Sequence, residues 1–222
     1  MPLILHENIG NGEIGLWRIS EAIEELHLLA KLSPPDTITY TEISALHRKK
    51  EWLATRALLN EVMSEPHLIK YHIDGRPFLE NCPLNISISH SAGYVVILLH
   101  ELFTPGIDIE ITTRQVGRVA SRFLSPDELA ACKAVPELSN QRLLMHWCAK
   151  EAIYKMIPLS NIEFSTDIRI LANDFAADSG SFQGIFNDKS GPIPIILYYK
   201  LVDEVLIVWG WVDEINIRHE IV

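Results

Sequence analysis

Cysteine is scarce in this chain of 222 residues: there are three, Cys82, Cys132 and Cys148, an odd number without paired spacing. That argues against a disulfide framework and a structural zinc site, and it predicts a reducing, cytoplasmic setting. Long hydrophobic runs are also missing. No stretch reaches the ~18 uninterrupted apolar residues of a membrane helix, and the greasiest segments, 94–99 and 206–212, have strand length. The opening residues, Met1-Pro2-Leu3-Ile4-Leu5-His6-Glu7, carry neither a basic segment nor a long apolar one, so no export signal is expected. Positive charge is in deficit, with 19 Lys and Arg against 29 Asp and Glu, net −10. Such a chain has no general attraction for nucleic acid, and any anion it holds must be held by a few placed cations. The nine histidines form no zinc pattern such as H-E-x-x-H. No repeat and no low-complexity tract is visible.

What is present is globular: 48% hydrophobic and 22% charged residues, enough chain for one large domain or two small lobes. Residues 14–19 read as a strand, and Ser20 as the cap of a helix over 21–31. Ser33-Pro34-Pro35-Asp36 reads as a break, followed by a long helix over 41–64 closed by Pro66. A hairpin over 71–78 has Asp74-Gly75 at its tip, and strands 85–89 and 94–100 flank a turn at 90–93. Thr104-Pro105-Gly106 marks the expected boundary between lobes 1–104 and 105–222. The second lobe opens with a strand at 107–111 and a helix at 114–123. Ser125-Pro126-Asp127-Glu128 then has the form of a capping box. A helix from 139 or 140 to 156 is stopped by Pro158. Residues 173–190 read as loops around a short strand, and 193–201 with 205–212 as a hairpin. The expected class is α+β.

Two segments carry chemistry. In Gly106-Ile107-Asp108-Ile109-Glu110, residues two apart share a strand face, so Asp108 and Glu110 stand side by side. Paired carboxylates repel unless a cation lies between them, and hard oxygens suit magnesium. A solvated face of an amphipathic edge strand would give the same pattern. In Trp147-Cys148-Ala149-Lys150-Glu151-Ala152-Ile153-Tyr154-Lys155, helical spacing puts Trp147, Lys150, Glu151, Tyr154 and Lys155 on one face. Leu144, Cys148, Ala149, Ala152, Ile153 and Met156 form a packing face. Glu151 and Lys155 alone would be an ordinary surface pair, but tryptophan beside them argues against a purely solvated face. Arg48, Trp52 and Arg56 fall on one stripe of the long helix, and arginine forks suit phosphate oxygens. An exposed basic helix face fits the same spacing. Ser89-His90-Ser91 sits where a strand meets a turn, either as an anion cradle or with His90 as an ordinary loop histidine.

Together these segments resemble the 4'-phosphopantetheinyl transferase superfamily, in its long, two-lobed (surfactin-type) class. The resemblance is carried by R-x-x-E-W-L-A-x-R at 48–56, G-[KR]-P at 75–77, I-S-H-S at 88–91, G-I-D-I-E at 106–110, R-F-x-S-x-x-E at 122–128 and W-x-x-K-E-A-x-x-K at 147–155. It implies two similar lobes with an active site in the cleft between them. It implies transfer of phosphopantetheine from coenzyme A to a serine of an apo acyl carrier protein, or of a peptidyl or polyketide carrier domain, with release of 3',5'-adenosine bisphosphate. Asp108, Glu110 and Glu151 would hold Mg²⁺, with Mn²⁺ as the alternative metal. Arg48, Arg56, Ser89 and His90 would hold the 3'-phosphate, Arg76 would border the adenine, and Lys150 and Lys155 would neutralise the pyrophosphate. Glu151 is the candidate base and Glu128 its rival, the latter also explained by capping. Both halves of that site lie in one chain, so a monomer is expected.

The chain departs from the family in having no glycine across 156–161, near the expected pantetheine arm and carrier. Carriers of this kind are acidic, so an acidic enzyme needs a local positive patch. Arg114, Arg118 and Arg122 supply one, unless they pair with local acids such as Asp127. The rival functions are a Mg²⁺-dependent hydrolase of coenzyme A or a nucleotide pyrophosphate, and a non-catalytic protein that binds coenzyme A or a carrier.

Overall fold

The computed structural model describes residues 2–159, 161–171, 177–189 and 191–213. The chain is α+β and divides into two compact units, Met1–Leu102 and Phe103–Val222. Among the described residues no helix is long and apolar enough to cross a membrane.

The first unit opens with the hairpin β1 (Leu3–Asn8) and β2 (Gly12–Arg18), followed by α1 (Ile23–Ala30), α2 (Pro34–Glu42) and α3 (Leu46–Met63). A small hairpin, β3 (Ile69–Tyr71) and β4 (Pro77–Leu79), precedes β5 (Asn85–Ser91) and β6 (Tyr94–His100). The main sheet has the order β1-β2-β6-β5 and is antiparallel throughout. One face of α3 (Leu53, Ala54, Ala57, Leu58 and Val62) is buried with Trp17, Val95, Ile97 and Leu99 of the sheet.

Several expectations shift here. The helix expected over 41–64 is two helices broken at Ile43, whose backbone is extended. Ser33-Pro34-Pro35-Asp36, expected to be a break, is the start of α2: Ser33 Oγ accepts from Asp36 N at 3.3 Å, with proline in the first turn. Proline there removes only an amide that has no helical partner, so the same dipeptide that stops a helix can begin one. Ser20 does not cap α1; the N-cap is Ala22, without a side-chain hydrogen bond. His90 lies inside β5, paired with Val95, and the turn is Ala92-Gly93, both at positive φ.

The second unit begins with β7 (Thr104–Ile111), then a 3-10 turn over Gly117–Val119, α4 (Ala120–Phe123) and α5 (Pro126–Lys133). A second 3-10 turn, Pro136–Leu138, leads into α6 (Ser139–Met156). The strands β8 (Ile168–Ile170), β9 (Ser179–Asp188), β10 (Gly191–Val202) and β11 (Val205–Val212) complete an antiparallel sheet of order β7-β11-β10-β9-β8. Thr104-Pro105-Gly106 belongs to β7, and proline is tolerated because β7 ends its sheet. The helix expected over 114–123 is only the 3-10 turn and the four residues of α4.

Of the stretch 173–190 expected as loops around a short strand, 173–176 and 190 lie outside the described residues. The remainder is mostly β9, a ten-residue strand paired along β10. Its small residues have a packing reason: a Cβ on Gly184 would meet Ile153 Cδ1 of α6 at 2.6 Å. Leu144, Cys148, Ala149, Ala152, Ile153 and Met156 of α6 are all buried in this unit's core, as their spacing predicts.

Candidate active site

Helix α6 lies on β7 and β11, and one contact fixes how closely. A Cβ on Gly106 would stand 2.0 Å from Ala152 O and 2.6 Å from Met156 Cγ, so only glycine fits between strand and helix backbone. Two residues on, Asp108 Oδ1 accepts from Lys155 Nζ at 2.9 Å, and the same ammonium donates to Ile107 O at 2.8 Å. Four residues on, Glu110 Oε1 accepts from Trp147 Nε1 at 3.1 Å and from Arg114 Nη1. The Arg114 guanidinium carbon lies 5.3 Å from the Trp147 ring centre. The indole is further enclosed by Phe123, edge-on at 5.0 Å, and by Phe164 at 6.4 Å.

Asp108 and Glu110 are both buried, at 5% exposure each, on the face that meets α6. Their neighbours Ile107 and Ile109, on the opposite face, are buried as well. The strand therefore has no solvated face, and the alternative of an exposed amphipathic edge strand falls away. Burial first, and then the charge of Asp108, raise the Glu151 carboxyl above its ordinary value, while Lys155 and Arg114 pull it back. The Cys148 thiol is pushed well up by burial and by Asp108, which makes it an inert packing group.

Among the described residues no three His, Cys, Asp or Glu side chains are gathered as a ready metal cage. The donor chemistry nonetheless fits a hard divalent cation. Two buried carboxylates share a strand face, and a third, Glu151, is held up in pKa by burial and then by the charge of the first. A cation among them relieves that repulsion.

Lys150 does not join this group. It is fully buried, and its three ammonium hydrogens are matched by Glu128 Oε2 (2.8 Å), Phe164 O (2.8 Å) and Ile168 O (2.6 Å). The expected pyrophosphate contact from Lys150 is therefore corrected: no ammonium hydrogen is left for it. Glu128 is likewise engaged. It closes a capping box with Ser125 and accepts from Ile170 N at 2.8 Å and from Lys150. Burial works against its charge, but these donors outweigh it and hold the carboxyl below its ordinary value. Of the two readings of Glu128, capping is the one its contacts match, and a buried carboxylate so occupied makes a poor base.

In the first unit, Arg48 is exposed at the start of α3 and reaches Glu51 Oε2 at 3.8 Å; His90 Nδ1 reaches the same oxygen at 3.6 Å. Glu51 thus brings Arg48 and His90 together; the sequence placed it in the R-x-x-E-W-L-A-x-R motif but gave it no role. Ser89 is buried beside His90 on β5. Arg76, just past the hairpin tip at Gly75 (φ +87°), is bonded to Asp74 through both Nε (2.8 Å) and its backbone amide (3.0 Å).

Arg56 is a second correction. It is 3% exposed, donates through Nε to Asp36 Oδ1 at 2.8 Å, and stacks 3.2 Å from the centre of the Trp52 ring. The stripe Arg48-Trp52-Arg56 runs from solvent into the core, and its inner end joins α3 to α2. Spacing on a helix gives the face but not the depth, so this burial was not visible in the sequence. Arg114 also departs from the expected docking stripe by pairing with Glu110, although it is exposed like Arg118 and Arg122.

Residues 104–202 match the model of the 4'-phosphopantetheinyl transferase superfamily. The second unit, with its glycine-tight strand, paired carboxylates and lysine-flanked glutamate, is thus the part of the chain that is similar to that superfamily. Over 112 residues the chain is 34% identical to the 4'-phosphopantetheinyl transferase AcpT of Escherichia coli (strain K12), covering 49% of this chain and 57% of that protein. It is 35% identical over 112 residues to AcpT of Salmonella typhimurium (strain LT2), covering 49% of this chain and 58% of that one. The match thus spans little more than half the length of these curated relatives.

Proposed function

We propose that the chain transfers the 4'-phosphopantetheine arm of coenzyme A to a serine hydroxyl of an apo carrier protein, with Mg²⁺ as the metal. One observation carries this reading: within the stretch that matches the superfamily, Lys155 is bonded to Asp108, and burial together with the charge of the same Asp108 raises the Glu151 carboxyl. A cation lies against a buried acid there, and a further carboxylate is near enough to feel the charge of both. Such a set suits phosphoryl transfer to an incoming hydroxyl, which needs positioning and charge neutralisation above all.

Asp108, Glu110 and Glu151 are the residues that would hold the metal. When bound, a divalent cation neutralises pyrophosphate oxygens and steadies the leaving group. Lys155 places an ammonium against the charge that develops on the departing bisphosphate. Glu151 takes the proton of the serine hydroxyl as its oxygen bonds to phosphorus and the bond to 3',5'-adenosine bisphosphate breaks. On the first unit, Arg48, Ser89 and His90 are the proposed contacts of the 3'-phosphate, and Arg76 of the adenine. Arg118 and Arg122 are the exposed cations offered to an acidic carrier.

The test is intact-mass spectrometry of an apo acyl carrier protein incubated with the chain, coenzyme A and Mg²⁺. A gain of one phosphopantetheine, lost with EDTA and with Glu151→Ala, supports the transferase. Release of 3',5'-adenosine bisphosphate without any carrier, and no mass gain on fatty-acid, polyketide or peptide carriers, would replace it with hydrolysis.

A further inference from the structure

The carboxylates of β7 carry a resident cation for which the proposed chemistry has no role. Arg114 follows the end of β7, and its amide bonds back to Ile111 O at 3.0 Å, so the chain turns directly over the strand it has just left. The turn brings the guanidinium onto Glu110 Oε1, the oxygen that Trp147 Nε1 also occupies. The two partners differ sharply in exposure: 44% for the Arg114 side chain and 6% for that of Glu110. A solvent-facing cation therefore closes over a buried acid. It is not confined to that acid, because its charge is also felt at Glu151 and at Cys148. Lys155 is placed differently, tied to a backbone carbonyl as well as to Asp108 and only 25% exposed.

We infer that Arg114 competes with a divalent metal for Glu110 and so sets the metal affinity of this site. The inference rests on the metal reading of Asp108, Glu110 and Glu151. A guanidinium within hydrogen-bond reach of Glu110 lies a few ångströms from any cation that Glu110 ligates, and two positive charges so placed repel in a half-buried setting. With two donors already on Oε1, the one that is free to move gives way. Trp147 is packed between Phe123 and Phe164, whereas Arg114 has solvent to move into. By linkage, whatever the metal loses to Arg114, Arg114 loses equally to the metal.

The experiment measures Mn²⁺ binding from the resonance of the free ion, with no coenzyme A and no carrier. Arg114→Gln is expected to bind Mn²⁺ about tenfold more tightly than the unaltered chain, and Arg114→Lys to lie between them. Glu110→Gln should weaken binding and abolish the difference that Arg114→Gln makes. If Arg114→Gln binds Mn²⁺ no more tightly while Glu110→Gln still weakens binding, the competition is wrong and the metal site stands. If Glu110→Gln changes nothing, the metal site itself is wrong and the competition goes with it.

Discussion

The two units solve one problem twice with different residues. In each, a Ser-Pro dipeptide starts a short helix, and the acid three residues after the serine accepts a buried cation from a helix of 18 residues. In the first unit Ser33 caps α2, and Asp36 pairs with Arg56 of α3 at 2.8 Å. In the second Ser125 caps α5, and Glu128 pairs with Lys150 of α6 at 2.8 Å. Each long helix also bears a second candidate cation that stays in contact with solvent, Arg48 at 59% and Lys155 at 25% side-chain exposure. One basic residue per helix is thus a fastener and another is available for a ligand. Motif spacing does not say which. The acid on the neighbouring short helix does.

Removing the second fastener should have the largest effect. Lys150→Ala leaves Glu128 as a buried charge without its counter-ion, which costs about 3–5 kcal/mol. Thermal unfolding should fall steeply, whereas a normal melt with weakened coenzyme A binding would make Lys150 a ligand and break the parallel. Arg56→Ala should cost somewhat less, about 2–3 kcal/mol, because it strands chiefly Asp36, whereas Lys150→Ala also takes the donor from the carbonyls of Phe164 and Ile168. Denaturant unfolding of both variants sharpens the comparison: equal losses would mean that the two fasteners are interchangeable.

Among the described residues each unit also buries one histidine, His100 and His146, and burial holds both imidazoles below their ordinary value. The unfolded chain then binds the proton that the folded chain refuses. Stability is therefore full above the ordinary imidazole pKa of about 6.5 and falls as the pH drops below it toward the folded value. Melting at pH 7.5 and at pH 5.5 should show this loss, about 1 kcal/mol or less per histidine, and His146→Gln should flatten it. A melt that strengthens on acidification would refute the assignment. The smallest change in stability belongs to Arg48→Ala, within about 0.5 kcal/mol. Its expected effect is on the KM for coenzyme A, and an unchanged KM would remove Arg48 from the proposed phosphate site.

Local signals were legible. The capping box at Ser125, the hairpin tip at Asp74-Gly75, the last two strands and the extent of α6 all follow from residues that act on their immediate neighbours. What was not legible depends on partners far along the chain. Asp36 is 20 residues from Arg56 and Glu128 is 22 from Lys150, and no periodicity links them. Had Ser33-Pro34-Pro35-Asp36 been matched to Ser125-Pro126-Asp127-Glu128, α2 and its acid would have been in view. That only a short strand among loops was expected where β9 runs has a similar cause: its glycines are there for packing against α6 and Tyr199, not for turning.

Gly106 has one more consequence. Strand and helix touch backbone to backbone at that residue. Two residues on, the shorter acid has Lys155 and Cys148 around it. Four residues on, the longer acid meets the Trp147 ring. Along this face of β7 the side chains lengthen at each second residue, from glycine through aspartate to glutamate, as the strand leaves its point of contact with the helix.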